Sequence, residues 1–291
     1  MQKIKSYIKL LRPKHYLKNA LVLAPLFFDC KIFDYNLRMR ALLGFLAFSF
    51  MSSVVYIIND VNDIEADRKN DAKKNRPLAA GVITVHAAFV LAFALFGISV
   101  TATYVSGGSI AIIWILLYLI LNLAYSIKLK HVPIADVTIL ASGYFIRLIY
   151  GAAITKIDLS FWICMTAITF SLYMGLGKRR NELMQLGEDA YSARGVLKNY
   201  NIDFLDKNMY VCLGLAITFY ALWTGDDKTI GKTGTNLQIW TVPIIIILAM
   251  KYSLDIEKGE SGDPMEVILS DKWLIFIGII YVITLFIILY V

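Results

Sequence analysis

Apolar stretches of about 18 residues or more recur along the whole chain, each long enough to cross a hydrocarbon core ~30 Å thick. Nine such spans are expected, roughly 17–33, 39–59, 80–105, 108–126, 134–155, 160–177, 208–224, 236–254 and 272–291. Pro25 and Asp29 interrupt the first. Hydrophobic residues make up 58% of the 291, which excludes an ordinary soluble domain. The expected fold is all-α: a polytopic membrane protein, one domain over 1–291. No composition shift or long linker divides it.

Charge sets the expected orientation. With the N-terminus inside, about 22 of the 29 Lys and Arg residues fall on the cytoplasmic side and about 6 outside, and Arg147 lies within a span. The formal charge of +7 is therefore a topology signal and not a mark of nucleic-acid binding. Attraction to anionic membrane lipid or to a polyphosphate is compatible with it. Residues 1–19 are basic, with no apolar core and no small-residue cleavage site, so no cleavable signal is expected there. Ile4, Tyr7, Ile8 and Leu11 recur at helical spacing among lysines, which predicts a surface-lying helix ended by Pro13. Cys30, Cys164 and Cys212 lack metal-type spacing, so neither disulfides nor zinc are expected. Outward loops are expected at Ser106-Gly107-Gly108 and over 225–236. The inward loops, 59–77, 177–208 and 251–272, are long and polar, which directs the chemistry to the cytoplasmic face.

The second span runs into Asn59-Asp60-Val61-Asn62-Asp63-Ile64-Glu65-Ala66-Asp67. On a helix Asn59, Asp63 and Asp67 recur every four residues, and Asp60, Asp63 and Asp67 at three and four, so they share a face. Negative charge at a helix C-terminus opposes the macrodipole and calls for compensation. Mg²⁺ suits the place, because it accepts a few carboxylate oxygens together with waters and substrate phosphates. A divalent cation carrying a pyrophosphate is the expected ligand, with Asn59, Asp60, Asp63 and Asp67 as metal-holding candidates. Among Asp60, Asp63 and Asp67 the catalytic carboxylates are expected. Glu65 is expected to be solvated. Of the cations beyond, Arg76 beside Pro77 is the phosphate candidate, while Arg68, Lys69, Lys73 and Lys74 read as surface charge.

Asn59-Asp60-x-x-Asp63-x-x-x-Asp67 resembles the first aspartate-rich motif of the UbiA superfamily of intramembrane prenyltransferases. That resemblance implies about nine helices around a cytoplasm-facing cavity in which Mg²⁺ holds a diphosphate. Where typical members carry a second aspartate-rich motif, this chain has Gly177-Lys178-Arg179-Arg180-Asn181-Glu182. It is more similar to the decaprenyl-phosphate phosphoribosyltransferase branch. The similarity runs through 12–19 (Arg-Pro-Lys-His-Tyr-Leu-Lys-Asn), 75–81 (Asn-Arg-Pro-Leu-Ala-Ala-Gly) and 124–130 (Ala-Tyr-Ser-Ile-Lys-Leu-Lys). Asp136 with Arg147, Gly177-Lys178-Arg179-x-x-Glu182 and Gly262-Asp263-Pro264-x-Glu266 complete it. The branch implies phosphoribosyl pyrophosphate as donor and a polyprenyl phosphate as acceptor, in the cell membrane.

Such a donor needs a cationic grip besides the metal, and the planar fork of arginine binds phosphate oxygens in pairs. Lys178 and Arg179 are placed for that, and Glu182 can pair with Lys178 or hold a ribose hydroxyl. Asp136 and Arg147 share a face of the fifth span, roughly 16 Å apart. Arg147 is read as a cavity contact for acceptor phosphate or donor, and Asp136 as a ribose or metal contact. Their rival reading is ion pairing with another span. Lys14, Lys18 and Asn19, at the mouth of the first span, are candidate contacts for acceptor phosphate or donor, and Tyr125 and Lys128, at the end of the fourth, are candidates to close the site. His15 reads as interfacial; Arg194, Tyr200 and Asp255 are weaker candidates. A homo-oligomer is open. The alternative functions are an isoprenyl diphosphate-dependent prenyltransferase and a non-catalytic transporter or scaffold.

Overall fold

The computed structural model describes residues 2–71, 73–186, 195–257 and 264–291. Arg194, Gly262 and Asp263, singled out above, lie outside the described residues. In chain order the helices are α1 (Gln2–Leu11), a 3₁₀ stretch (Pro13–Leu23), α2 (Ala24–Phe28), α3 (Tyr35–Asn62), α4 (Ile64–Lys69), α5 (Val85–Ile127), α6 (Ala135–Thr155) and α7 (Phe161–Leu186). They continue as α8 (Ile202–Thr224), α9 (Asp227–Thr233), α10 (Val242–Glu257), α11 (Pro264–Ser270) and α12 (Lys272–Tyr290). No strand occurs among the described residues.

Among the described residues, five helices are long and apolar enough to cross a membrane: α3, α5, α6, α10 with the 3₁₀ turn before it, and α12. The pair α8 and α9, bent by 56°, is a sixth where the two are counted as one span. The chain is an integral membrane protein. This count does not confirm the expected nine, and three features of the helices differ from expectation. First, α5 has 43 residues, about 65 Å if straight, and Gly108 at φ 70°, ψ −162° divides it. The break falls where a loop was expected, but it occupies one residue. Second, the expected first span is not a regular α-helix. Ala24 N–H bonds Leu21 O in the tight 3₁₀ pattern, and Pro25 has no N–H to continue an α ladder. Third, α7 runs past residue 177 to Leu186, so Lys178, Arg179, Arg180 and Glu182 sit on helix and not in a loop.

The helices sort into two compact units: residues 1–27, 31–126 and 146–157, and residues 28–30, 127–145 and 158–291. In the first, α3 is the central element, burying Phe48, Met51, Val55 and Ile57 completely or nearly so with Ile115, Tyr150 and Ile154. The basic helix α1 ends before Pro13 and docks on it through Leu10, which is fully buried, while Ile4 and Ile8 remain exposed. In the second unit α7 packs chiefly on α8, around Tyr173, Leu197, Leu205 and Ile256.

One glycine marks where the 3₁₀ stretch meets α6. A Cβ on Gly151 would lie 2.2 Å from the carbonyl oxygen of Val22 and 3.0 Å from its Cα. Those are backbone atoms, which cannot swing aside. Gly151→Ala is expected to destabilise the protein by about 1–3 kcal/mol through overpacking, read as a lower unfolding midpoint in detergent. An unchanged midpoint would mean that this contact relaxes freely.

Candidate functional site

The acidic stretch sits at a helix break. α3 stops at Asn62, Asp63 takes φ −98°, ψ 7°, and α4 starts at Ile64. The four-residue ladder nevertheless continues, since Asp63 N–H bonds Asn59 O at 3.0 Å and Asp67 N–H bonds Asp63 O at 2.8 Å. Asp60 and Asp67 are buried, at 4% and 3% exposure, and both reach Arg76. Its Nη1 donates to Asp67 Oδ2 at 2.7 Å and to Asp60 Oδ1 at 3.1 Å. Arg12 Nη2 donates to the same Asp60 oxygen at 2.5 Å.

At this helix end, where a metal was the expected compensation, the acids meet two arginines: Arg76, the phosphate candidate beside Pro77, and Arg12, which was not among the candidates. Asp67 also lies in the first turn of α4, where negative charge suits the macrodipole. Asp63 is half-buried. Arg68 bonds Ala79 O at 3.1 Å and Glu65 at 2.8 Å, and Lys74 pairs with Asp71 at 2.6 Å. These are local surface links.

The donor set can be tested against a metal directly. Among the described residues no three His, Cys, Asp or Glu side chains gather closely enough to hold an ion unaided. Mg²⁺ does not require that, because one or two carboxylates with substrate phosphate and water suffice. The amide oxygen of Asn59 is buried with no hydrogen-bond partner, an arrangement that is costly unless something binds it. With Asp60, Asp63 and Asp67 it offers only hard oxygens, which fit Mg²⁺ and not a softer metal.

A second cluster lies in the other unit. Asp136, on the first turn of α6, and Arg179, on α7, are both 0% exposed. Arg179 Nε donates to Asp136 Oδ2 at 2.6 Å, and its Nη1 to Glu182 Oε2 at 2.8 Å. The Tyr200 hydroxyl donates to Asp136 Oδ1 at 2.6 Å and accepts from Ile134 N–H at 2.6 Å. Ile134 has φ 67°, unusual for a β-branched residue. Burial, then donation to Asp136, pushes the Tyr200 hydroxyl up to about 12, so it remains a donor at neutral pH. Arg180 pairs with Asp206 on α8.

Both oxygens of Asp136 are therefore engaged inside the protein, where the sequence pointed to a ribose or metal contact. The ion pair with a neighbouring helix, the rival reading, is what the geometry displays. Glu182 reaches Arg179, three residues back, because the helix continues through it.

Arg147 is enclosed within the first unit, at 5% exposure. Its Nε donates to Asn19 Oδ1 at 2.7 Å, and its guanidinium lies 5.0 Å from the Phe48 ring and 5.1 Å from that of Tyr118. Aromatic faces attract a desolvated cation. Asn19 also donates to Ser49 at 3.0 Å and is fully buried, so it is an interior residue and not one at a mouth. Lys14 and Lys128 are exposed, and Lys18, Tyr125 and Lys178 half-buried.

Arg12 was missed as a site residue although it opens the 12–19 string; only its chain distance from Asp60 concealed it. Tyr200, a weaker candidate in the sequence, is a partner of Asp136. His15 lies against Tyr56, ring centroids 5.3 Å apart.

A family model described as the UbiA prenyltransferase family matches residues 33–191. The decaprenyl-phosphate phosphoribosyltransferase of Corynebacterium glutamicum is 34% identical over 270 residues, 91% of this chain and 81% of that protein. Its counterpart in Mycobacterium tuberculosis is 30% identical, over 97% and 93% of the two chains. A UbiA homolog from Archaeoglobus fulgidus, solved with GPP and Mg²⁺, superposes with a TM-score of 0.70 over 98% of this chain and 99% of that one, at 18% identity. This last likeness is one of fold.

Proposed function

The chain belongs to the UbiA prenyltransferase family and is a membrane-bound transferase, and from that premise we propose that it moves the 5-phosphoribosyl group of phosphoribosyl pyrophosphate to a polyprenyl phosphate, releasing pyrophosphate. The carrying observation is the 34% identity, over 91% of this chain, to a relative named decaprenyl-phosphate phosphoribosyltransferase. The missing second acidic motif at 177–182, where typical members would grip an isoprenyl diphosphate, supports it.

The residues divide the work. Asn59, Asp60, Asp63 and Asp67 would hold Mg²⁺, which neutralises charge on the departing pyrophosphate. Arg76 bonds phosphate oxygens with its fork. The acceptor is already an ionised phosphate, so no side chain is required as a strong base. The protein's contribution is to hold donor and acceptor in line. A single displacement inverts the anomeric carbon. Asp136, Arg179 and Tyr200 act as a fixed brace that positions α6 and α7. The site opens to the cytoplasm, and the protein resides in the cytoplasmic membrane; the Lys and Arg bias supports both.

Purified protein offered a labelled polyprenyl phosphate, Mg²⁺ and either phosphoribosyl pyrophosphate or isoprenyl diphosphates tests this. Product is expected with the first donor only and is lost on chelation. Transfer of an isoprenyl group would replace the reading with the prenyltransferase alternative.

A further inference from the structure

We propose that Arg12 is an exchangeable countercharge: it holds Asp60, yields that carboxylate to a divalent cation, and turns its fork to the diphosphate that accompanies the cation. The inference rests on the diphosphate reading of the site given above and adds a residue and a switch to it.

The two ion-pair clusters differ in a way that separates fixed pairs from movable ones. Arg179 and Asp136 are each 0% exposed and bonded on several sides, so neither can leave without exposing an uncompensated charge. At the α3–α4 break the buried members of the ion pairs are the acids Asp60 and Asp67. The side chain of Asp60 is 4% exposed, whereas those of Arg12 and Arg76 are 22% and 27% exposed. Arg12 bonds one oxygen of one carboxylate, and its guanidinium lies 5.0 Å from the ring of Tyr56, one α3 turn before Asp60. It can release the carboxylate and still rest on an aromatic face.

The backbone supports the same conclusion. Arg12 has φ 54°, ψ 57°, a left-handed conformation that a non-glycine residue keeps only when its surroundings enforce it. Pro13 follows directly. On the other side, Leu11 O accepts from Ser53 Oγ at 2.8 Å, Leu10 is fully buried, and Lys9 Nζ donates to Asn75 O at 2.9 Å. The segment is pinned without help from the Arg12 side chain. Release of Asp60 therefore leaves α1 docked, and the strain serves to aim one long cationic arm at the acid cluster. An arginine is suited to both jobs, since carboxylate and phosphate present the same spacing of oxygens to its fork.

The test uses the full chain in detergent, with Mn²⁺ read by its paramagnetic resonance signal and inorganic pyrophosphate as the anion. Arg12→Gln is expected to bind Mn²⁺ alone about tenfold more tightly, because a charge-assisted competitor for Asp60 is gone. The same variant is expected to bind pyrophosphate in the presence of Mn²⁺ about tenfold more weakly, because a fork is lost. These opposite signs distinguish exchange from general damage, which weakens both. Should Arg12→Gln fail to fold, Arg12→Lys keeps the charge and removes the fork; its pyrophosphate affinity is expected to fall several-fold. Unchanged or weaker Mn²⁺ binding in Arg12→Gln, or unchanged pyrophosphate binding in either variant, overturns the proposal. If both shifts appear but wild-type protein ignores phosphoribosyl pyrophosphate, the donor assignment fails and Arg12 keeps its role.

Discussion

Asp67→Asn is expected to reduce phosphoribosyl transfer by about a hundredfold or more while leaving the helical fold in place. The side chain keeps its volume, so the packing at the α3–α4 break survives. What disappears is one of two buried negative charges that Arg76 bridges, 2.7 Å from Asp67 and 3.1 Å from Asp60. Without it the acid cluster has less charge to offer a cation, and Arg76 pairs with Asp60 alone. Circular dichroism should overlay on that of the wild type, and labelled product should fall close to background. Full turnover by a folded Asp67→Asn protein would remove this cluster from the chemistry.

The second large effect is on stability. Arg179→Met is expected to cost about 3–5 kcal/mol, because Asp136 would be left buried beside a thioether. Tyr200 would still donate to it, but one hydroxyl does not neutralise a carboxylate. Asp136→Leu combined with Arg179→Met is expected to recover part of that loss, since no bare charge stays buried although the Tyr200 hydroxyl loses its acceptor. Thermal unfolding of wild type, the single variants and the double variant measures the coupling. If Arg179→Met alone unfolds like the wild type, the pair is not a brace.

The sequence made the acidic cluster legible because its spacing is local: Asn59, Asp63 and Asp67 follow a four-residue period, and the backbone bonds honour it even across the break. Arg76 stood out beside Pro77 as a phosphate candidate, but its bridge between Asp60 and Asp67 was not legible. Nor was Arg12, because nothing in a pattern of neighbours says that residue 12 returns to residue 60. Asn19 and Arg147 were each noticed, yet their meeting joins positions 128 apart in the chain, and only packing brings them together.

The sequence by itself determined that this is a helical membrane protein with its acids at the end of α3, because apolar length and helical period are properties of single segments. Tertiary structure alone decided which charges are partnered. It turned Asp136 from a ligand contact into an internal brace, enclosed Arg147 between aromatic rings, and placed Arg12 on Asp60. A buried charge must find its compensation in space, and the helix that supplies it is fixed by how segments pack rather than by how they are written.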